Sequence, residues 1–83
     1  MSNDSMASHG REMRQDILKR IIGYIQTYGY PPTTREIGDM VCLDSTSSVY
    51  NHLQRMRDEG MIDFLDGQPR TITVPGYKYT KTD

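Results

Sequence analysis

From Met13 onward, apolar residues recur every three or four positions: Met13, Ile17, Ile21, Ile25 and Tyr28, with Leu18 and Ile22 widening the stripe. This is the period of an amphipathic α-helix, and it predicts one from about Glu12 to Tyr28. Arg14, Asp16, Lys19, Arg20 and Gln26 fall mainly on the opposite side. Gly29 is a natural stop, and Tyr30-Pro31-Pro32 forbids continuation because proline drives the preceding residue out of the helical region. Thr33-Thr34-Arg35-Glu36 reads as a capping box, in which hydroxyl and carboxylate satisfy each other's backbone donors. Ile37, Met40 and Val41 give the short helix that follows one buried face. Cys42-Leu43-Asp44 leaves room only for a tight turn. Asp44 or Ser45 then caps a third helix running to about Glu59, with Val49, Leu53 and Met56 as its core stripe. Gly60 ends it as Gly29 ended the first.

Beyond Gly60 the period changes to two. Ile62 and Phe64 flank Asp63, Asp66-Gly67-Gln68-Pro69 is a turn, and Thr71-Ile72-Thr73-Val74 alternates with β-branched residues throughout. This pattern predicts a two-stranded β-hairpin ended by Pro75-Gly76. The fold class is α+β, with three helices followed by a hairpin. Residues 1–10 show no period and are expected to be a disordered tail, residues 11–76 the domain, and residues 77–83 a polar tail. Ile21, Ile25, Ile37, Met40, Val49, Leu53 and Phe64 should be among the most buried side chains.

Composition narrows the picture. The chain has 83 residues, 35% of them hydrophobic, which supports one compact core rather than two. No apolar run approaches the roughly 18–20 residues that cross a membrane, and Met1 to Gly10 lacks the basic start and apolar stretch of a secretory signal. A single cysteine, Cys42, cannot form an internal disulfide and fits a reducing cytoplasm, the expected location. The net charge of −1 argues mildly against a nucleic-acid binder. Its distribution is uneven, however. Arg11, Arg14, Lys19 and Arg20 outweigh Glu12 and Asp16 in residues 11–30, and acids outweigh arginines in residues 31–60. Binding to DNA would have to come from a local patch and be weak without a partner.

The order of elements carries more than the charge. A short helix and a longer one joined by so brief a turn cross steeply, and the second projects its N-terminus from the surface. In a helix-turn-helix that second helix lies in the DNA major groove, and a hairpin directly after it is the wing. With Val49, Leu53 and Met56 inward, Ser47, Ser48, Asn51 and Gln54 face outward or to the flanks. The Ser45-Thr46-Ser47-Ser48 turn is small and uncharged, so backbone N–H groups can approach phosphates or bases closely. Asn51 can read a base edge, most readily adenine.

The stretch from Tyr30 to Leu53, YPPTTREIGDMVCLDSTSSVYNHL, closely resembles the DNA-binding domain of the LexA repressor family. A weaker resemblance extends back through the first helix and forward through RDEGMIDFLDGQPRTI. It implies a winged helix-turn-helix that binds an inverted-repeat operator in double-stranded DNA and represses DNA-damage-response (SOS) genes. By position, the resemblance places Ser45, Ser47, Ser48, Tyr50 and Asn51 where the recognition helix meets DNA. Arg35 falls at a phosphate contact, and Gln68 and Arg70 on the wing. A full family member has a second domain with a self-cleavage site and a Ser–Lys pair. This chain ends before either, so neither self-cleavage nor dimerisation through that domain is expected, and any homodimer on the repeat should be weak. The turn position usually held by Gly is Cys42, where left-handed backbone would cost about 1–2 kcal/mol. Asp44 brings an acid near the DNA face, and Tyr50-Asn51 is an unusual pair, so the operator sequence is expected to differ.

Other chemistry finds little support. Cys42, His9 and His52 match no zinc spacing, and Cys42 reads as a small buried apolar group. No glycine-rich phosphate loop occurs, and the serines at 45–48 have no His or Lys base at hand, so no enzyme, cofactor, metal or small-molecule ligand is expected. Tyr24, Tyr28 and Tyr30 read as packing at the core edge. Tyr77 and Tyr79, alternating with Lys78, could extend the hairpin or support a partner contact. The alternative function is a winged-helix module that uses its acidic balance to bind another regulator rather than DNA.

Overall fold

The computed structural model describes residues 2–76. It consists of three helices, α1 (Ser2–Tyr28), α2 (Thr34–Met40) and α3 (Thr46–Asp58), followed by a segment that runs out from α3 and back. One core joins them all. Ile17, Ile21 and Ile25 from α1 meet Ile37 and Val41 beside α2, Val49, Leu53 and Met56 from α3, and Ile62, Phe64 and Ile72 beyond it. Of the residues expected deepest, all but Met40 are in this set. Met40 is only partly buried, and Val41, one helical turn from Ile37, takes the inward place. Tyr28, at the end of the α1 stripe, is exposed.

The helix boundaries follow the local chemistry. Gly29 takes φ 82° after α1. The Thr33 hydroxyl accepts from Glu36 N–H at 3.1 Å while Thr33 N–H donates to Glu36 Oε1 at 2.8 Å, so both halves of the capping box are made. Ser45 caps α3, its Oγ accepting from Ser48 N–H. Gly60 takes φ 79°, and Met61 N–H returns to Met56 C=O at 2.9 Å, the Schellman arrangement.

The structure departs from three expectations. Helix α1 takes in residues 2–10, the stretch expected as a disordered tail. Propagation adds one hydrogen bond for each residue fixed and no proline interrupts this stretch, although Ser, Asn, Asp and Gly are weak helix formers. Second, Cys42 is exposed rather than buried; it sits at φ 61° in the turn after α2, pointing away from the core. Third, the expected two-stranded ladder is reduced to one antiparallel pair, Asp63 with Thr73, joined by hydrogen bonds of 2.9 and 2.8 Å. A side chain takes the donor that the next ladder pair would use: Leu65 N–H bonds to Thr71 Oγ1 rather than to Thr71 C=O. The expected polar tail, with Tyr77 and Tyr79, lies outside the described residues. Among the described residues, no helix is long and apolar enough to cross a membrane.

Candidate nucleic-acid interface

The close approach of α2 to α3 depends on Gly38. A Cβ built there would lie 3.1 Å from Leu43 C=O and 3.2 Å from Val49 Cγ2. The turn between the helices is closed by Leu43 N–H donating to Gly38 C=O at 2.9 Å, with Cys42 left-handed between them. This short connection packs Val49 of α3 against α2 and leaves the outer side of the first turn of α3 to solvent. Ser45, Thr46, Ser47, Ser48 and Asn51 are all exposed, and Gln54 is half-buried. On the helix, Ser47, Asn51 and Gln54 share the face opposite Val49, Leu53 and Met56. The acid expected nearby, Asp44, is exposed in the preceding turn. Asp44, Arg35, Asp39 and Thr46 line an open hollow of about 530 Å³ on this side.

Arg35 stands at the start of α2, is exposed, and joins no ion pair among the described residues. It also borders a second groove of about 360 Å³, shared with Thr46, Tyr50, Gln68 and Arg70. Five of the expected contact residues, Ser45, Ser47, Ser48, Asn51 and Gln54, thus fall on α3 and its cap, and Arg35 and Gln68 line the adjoining hollows.

Tyr50 and Arg70 are placed differently from the rest. The Tyr50 hydroxyl donates to Asp66 Oδ1 at 2.7 Å. That bond, followed by the nearby Arg57 guanidinium, holds the Asp66 carboxyl below the usual carboxylate range, and the same partner pushes the Tyr50 hydroxyl up. Arg57 lies over the Phe64 ring, 4.2 Å from its centre, and donates to Phe64 C=O at 3.1 Å and Asp66 Oδ1 at 3.4 Å. Arg70 folds back onto the body. Its Nη1 and Nη2 bond to Glu36 Oε1 and Oε2 at 3.1 and 2.9 Å, and Nη1 also faces Pro31 C=O at 3.1 Å and Tyr24 Oη at 3.3 Å. The guanidinium stacks over Tyr30 at 4.8 Å. The Thr33 backbone donor, followed by Arg70, keeps the Glu36 carboxyl below its ordinary value. Tyr24, Tyr28 and Tyr30 pack on one another around this point, with Tyr28 and Tyr30 exposed rather than at the core edge.

The sequence reading missed Gly38, Glu36 as partner of Arg70, and Asp66 as partner of Tyr50. Gly38 falls inside a helix pattern, which alone hinted at a close approach. The two polar pairs span 34 and 16 positions of chain and left no local signal.

The family model described as "LexA DNA binding domain" matches residues 11–71. The chain is 44% identical over 69 residues to a LexA repressor of Bacillus mycoides, an alignment covering 83% of this chain and 34% of that protein. To the LexA repressor of Enterococcus faecalis it is 47% identical over 64 residues, 76% of this chain and 31% of the relative. The corresponding figures for Ligilactobacillus salivarius are 44%, 64 residues, 76% and 31%. The matches therefore span about a third of the length of these curated relatives.

Proposed function

This chain belongs to the LexA DNA-binding domain family, and on that premise we propose that it is a sequence-specific double-stranded-DNA-binding transcriptional repressor module. The observation that carries the reading is the exposed, uncharged start of α3, with Ser45, Ser47, Ser48 and Asn51 open to solvent together. Such a turn enters the major groove with its backbone close to the bases. Asn51 makes paired hydrogen bonds to an adenine edge, and Gln54 extends the same face by one turn. The serines and the free N–H groups of the helix start hold phosphates. Arg35 grips a phosphate from the adjoining helix start, and Gln68, at the exposed tip of the 62–74 segment, does so as a wing. Two copies on an inverted repeat supply the affinity that one lacks.

The test is selection of bound sequences from a random double-stranded library, followed by retardation assays on the winners. An enriched inverted repeat whose half-site is lost on Asn51→Ala supports the proposal. Enrichment of no sequence would overturn it, and a protein-interaction module that keeps the fold but binds another regulator would take its place.

A further inference from the structure

Two polar pairs fasten the two ends of one exposed turn. Asp66, at its start, is held by Tyr50 of α3 at 2.7 Å and by Arg57 at 3.4 Å. Arg70, at its end, is held by Glu36 of α2 through two parallel bonds. Between them Gly67, Gln68 and Pro69 are exposed. We propose that these pairs form a two-point clamp, in which Tyr50, Asp66, Glu36 and Arg70 act as positioning residues that hold the 66–70 turn in its DNA-contacting place before DNA arrives. The inference rests on the DNA-binding reading above and reassigns Tyr50 and Arg70, which contact the protein rather than the nucleic acid.

Four observations carry it. First, the 62–74 segment has a single ladder pair, and a lone two-stranded reversal is marginal in water, so its direction must come from elsewhere. Second, the turn is fastened to both helices of the helix-turn-helix, so its place relative to Asn51 and Arg35 is set by the same elements that present those residues. Third, the end-on fork of Arg70, Nη1 with Nη2, is spent on Glu36, and Nη1 also faces Pro31 C=O and Tyr24 Oη, so four contacts tie the guanidinium to the body of the protein. Fourth, Arg70 holds φ 59°, a conformation non-glycine residues avoid, which persists where the surroundings over-determine it. A turn held in advance binds without having to be ordered at that moment.

Glu36→Gln separates the clamp from simple electrostatics. It removes a negative charge beside Arg35, so charge alone would tighten DNA binding. Gln still completes a capping box, so the start of α2 is kept. The clamp requires the opposite sign, binding about three- to tenfold weaker because the turn must now be ordered on the DNA. That loss should be equal across operator variants, with the salt slope unchanged. Arg70→Lys keeps the charge but cannot fork, so it should lose as much as Arg70→Gln. The double variant Glu36→Gln/Arg70→Gln should lose no more than either single change. Tyr50→Phe and Asp66→Asn should match each other in the same assays. Thr33→Ala, which weakens the cap and leaves the ion pair, is the control for mere loosening of α2. In the DNA-free protein, hydrogen exchange at the Leu65 and Gln68 amides should quicken in each clamp variant while core amides hold.

The clamp is overturned if Glu36→Gln binds as tightly as the wild type or tighter with exchange unchanged. It is equally overturned if Arg70→Lys retains wild-type affinity while Arg70→Gln flattens the salt slope by about one, the mark of a phosphate contact. Selection of no sequence by the wild type would sink the DNA reading instead. Unchanged exchange at 65–70 in the DNA-free variants would even then refute the clamp.

Discussion

Cys42 is left-handed at φ 61° with its side chain exposed, so it bears the steric penalty of that region and contributes no burial. Cys42→Gly should therefore stabilise the protein by up to about 1 kcal/mol, part of the gain being offset by a freer unfolded chain. Thermal melting checks this, and a loss of stability would show that the thiol makes a useful contact. Gly38 is the opposite case. Gly38→Ala gains about 1 kcal/mol of helix propensity but presses a methyl group against Leu43 C=O and Val49, both in place across the helix crossing. Overpacking of this kind costs about 1–3 kcal/mol, so net destabilisation with weakened DNA binding is expected. Asn51 and Arg35 are both exposed, so their removal to alanine should move stability by less than about 1 kcal/mol. Their effects on binding should differ in kind. Asn51→Ala should lose roughly 1–3 kcal/mol at one base position. Arg35→Ala should weaken all sequences alike and make the salt slope shallower by about one. Measuring melting and affinity on the same samples separates these outcomes from unfolding.

At the scale of elements, α2 has seven residues and would not persist alone. Its start is fixed by Thr33 and Glu36, and its end by the Leu43 bond to Gly38. Thr33→Ala should cost about 1 kcal/mol and, because α2 sets the angle of α3, should lower DNA affinity beyond what its exposure suggests. A variant with normal melting would show that burial of Ile37 alone holds the helix. The 62–74 segment depends even less on its own backbone. With one ladder pair, it is held by Ile62, Phe64 and Ile72 in the core and by polar ties to two helices.

For the whole molecule, charge sets the strength and the conditions of binding. With a net charge of −1, a single module should contact about four to six phosphates, giving a log–log salt slope of about −4 to −5. Titration across ionic strength on one half-site and on an inverted repeat tests this, and nanomolar binding of a lone copy to one half-site would contradict it. Acid should destabilise the fold in two stages. Burial, followed by the charge of Arg14, holds His52 below its ordinary value. The unfolded chain thus takes that proton first, and stability falls as pH drops below about 6.5. Glu36 and Asp66 are also depressed in the folded state. Their contributions are complete above the ordinary carboxylate values and are lost as pH falls from about 4 through the folded values. Melting curves against pH should show both steps. His52→Gln should remove the first, and Glu36→Gln with Asp66→Asn should flatten the second.

The sequence by itself determined whatever depends on neighbours a few residues apart. The three- and four-residue recurrence of Ile17, Ile21 and Ile25, and of Val49, Leu53 and Met56, settled which helix faces turn inward. Thr33, Glu36, Ser45, Gly29 and Gly60 marked the helix ends, because capping is chemistry within one turn. The exposed face of α3 followed from the same periodicity. Tertiary structure decided what depends on distant partners or on cooperative growth. Helix α1 reaches back to Ser2, a continuation that the weak helix formers Ser, Asn, Asp and Gly in residues 2–10 do not signal. The expected ladder shrank to Asp63 and Thr73 where the Thr71 hydroxyl took the Leu65 donor of the next pair. Arg70 and Tyr50 looked free in the chain, yet folding brings Glu36 and Asp66 to them across 34 and 16 positions. A polar side chain carries no mark of which distant partner will satisfy it, so its use is settled only when the helices have packed.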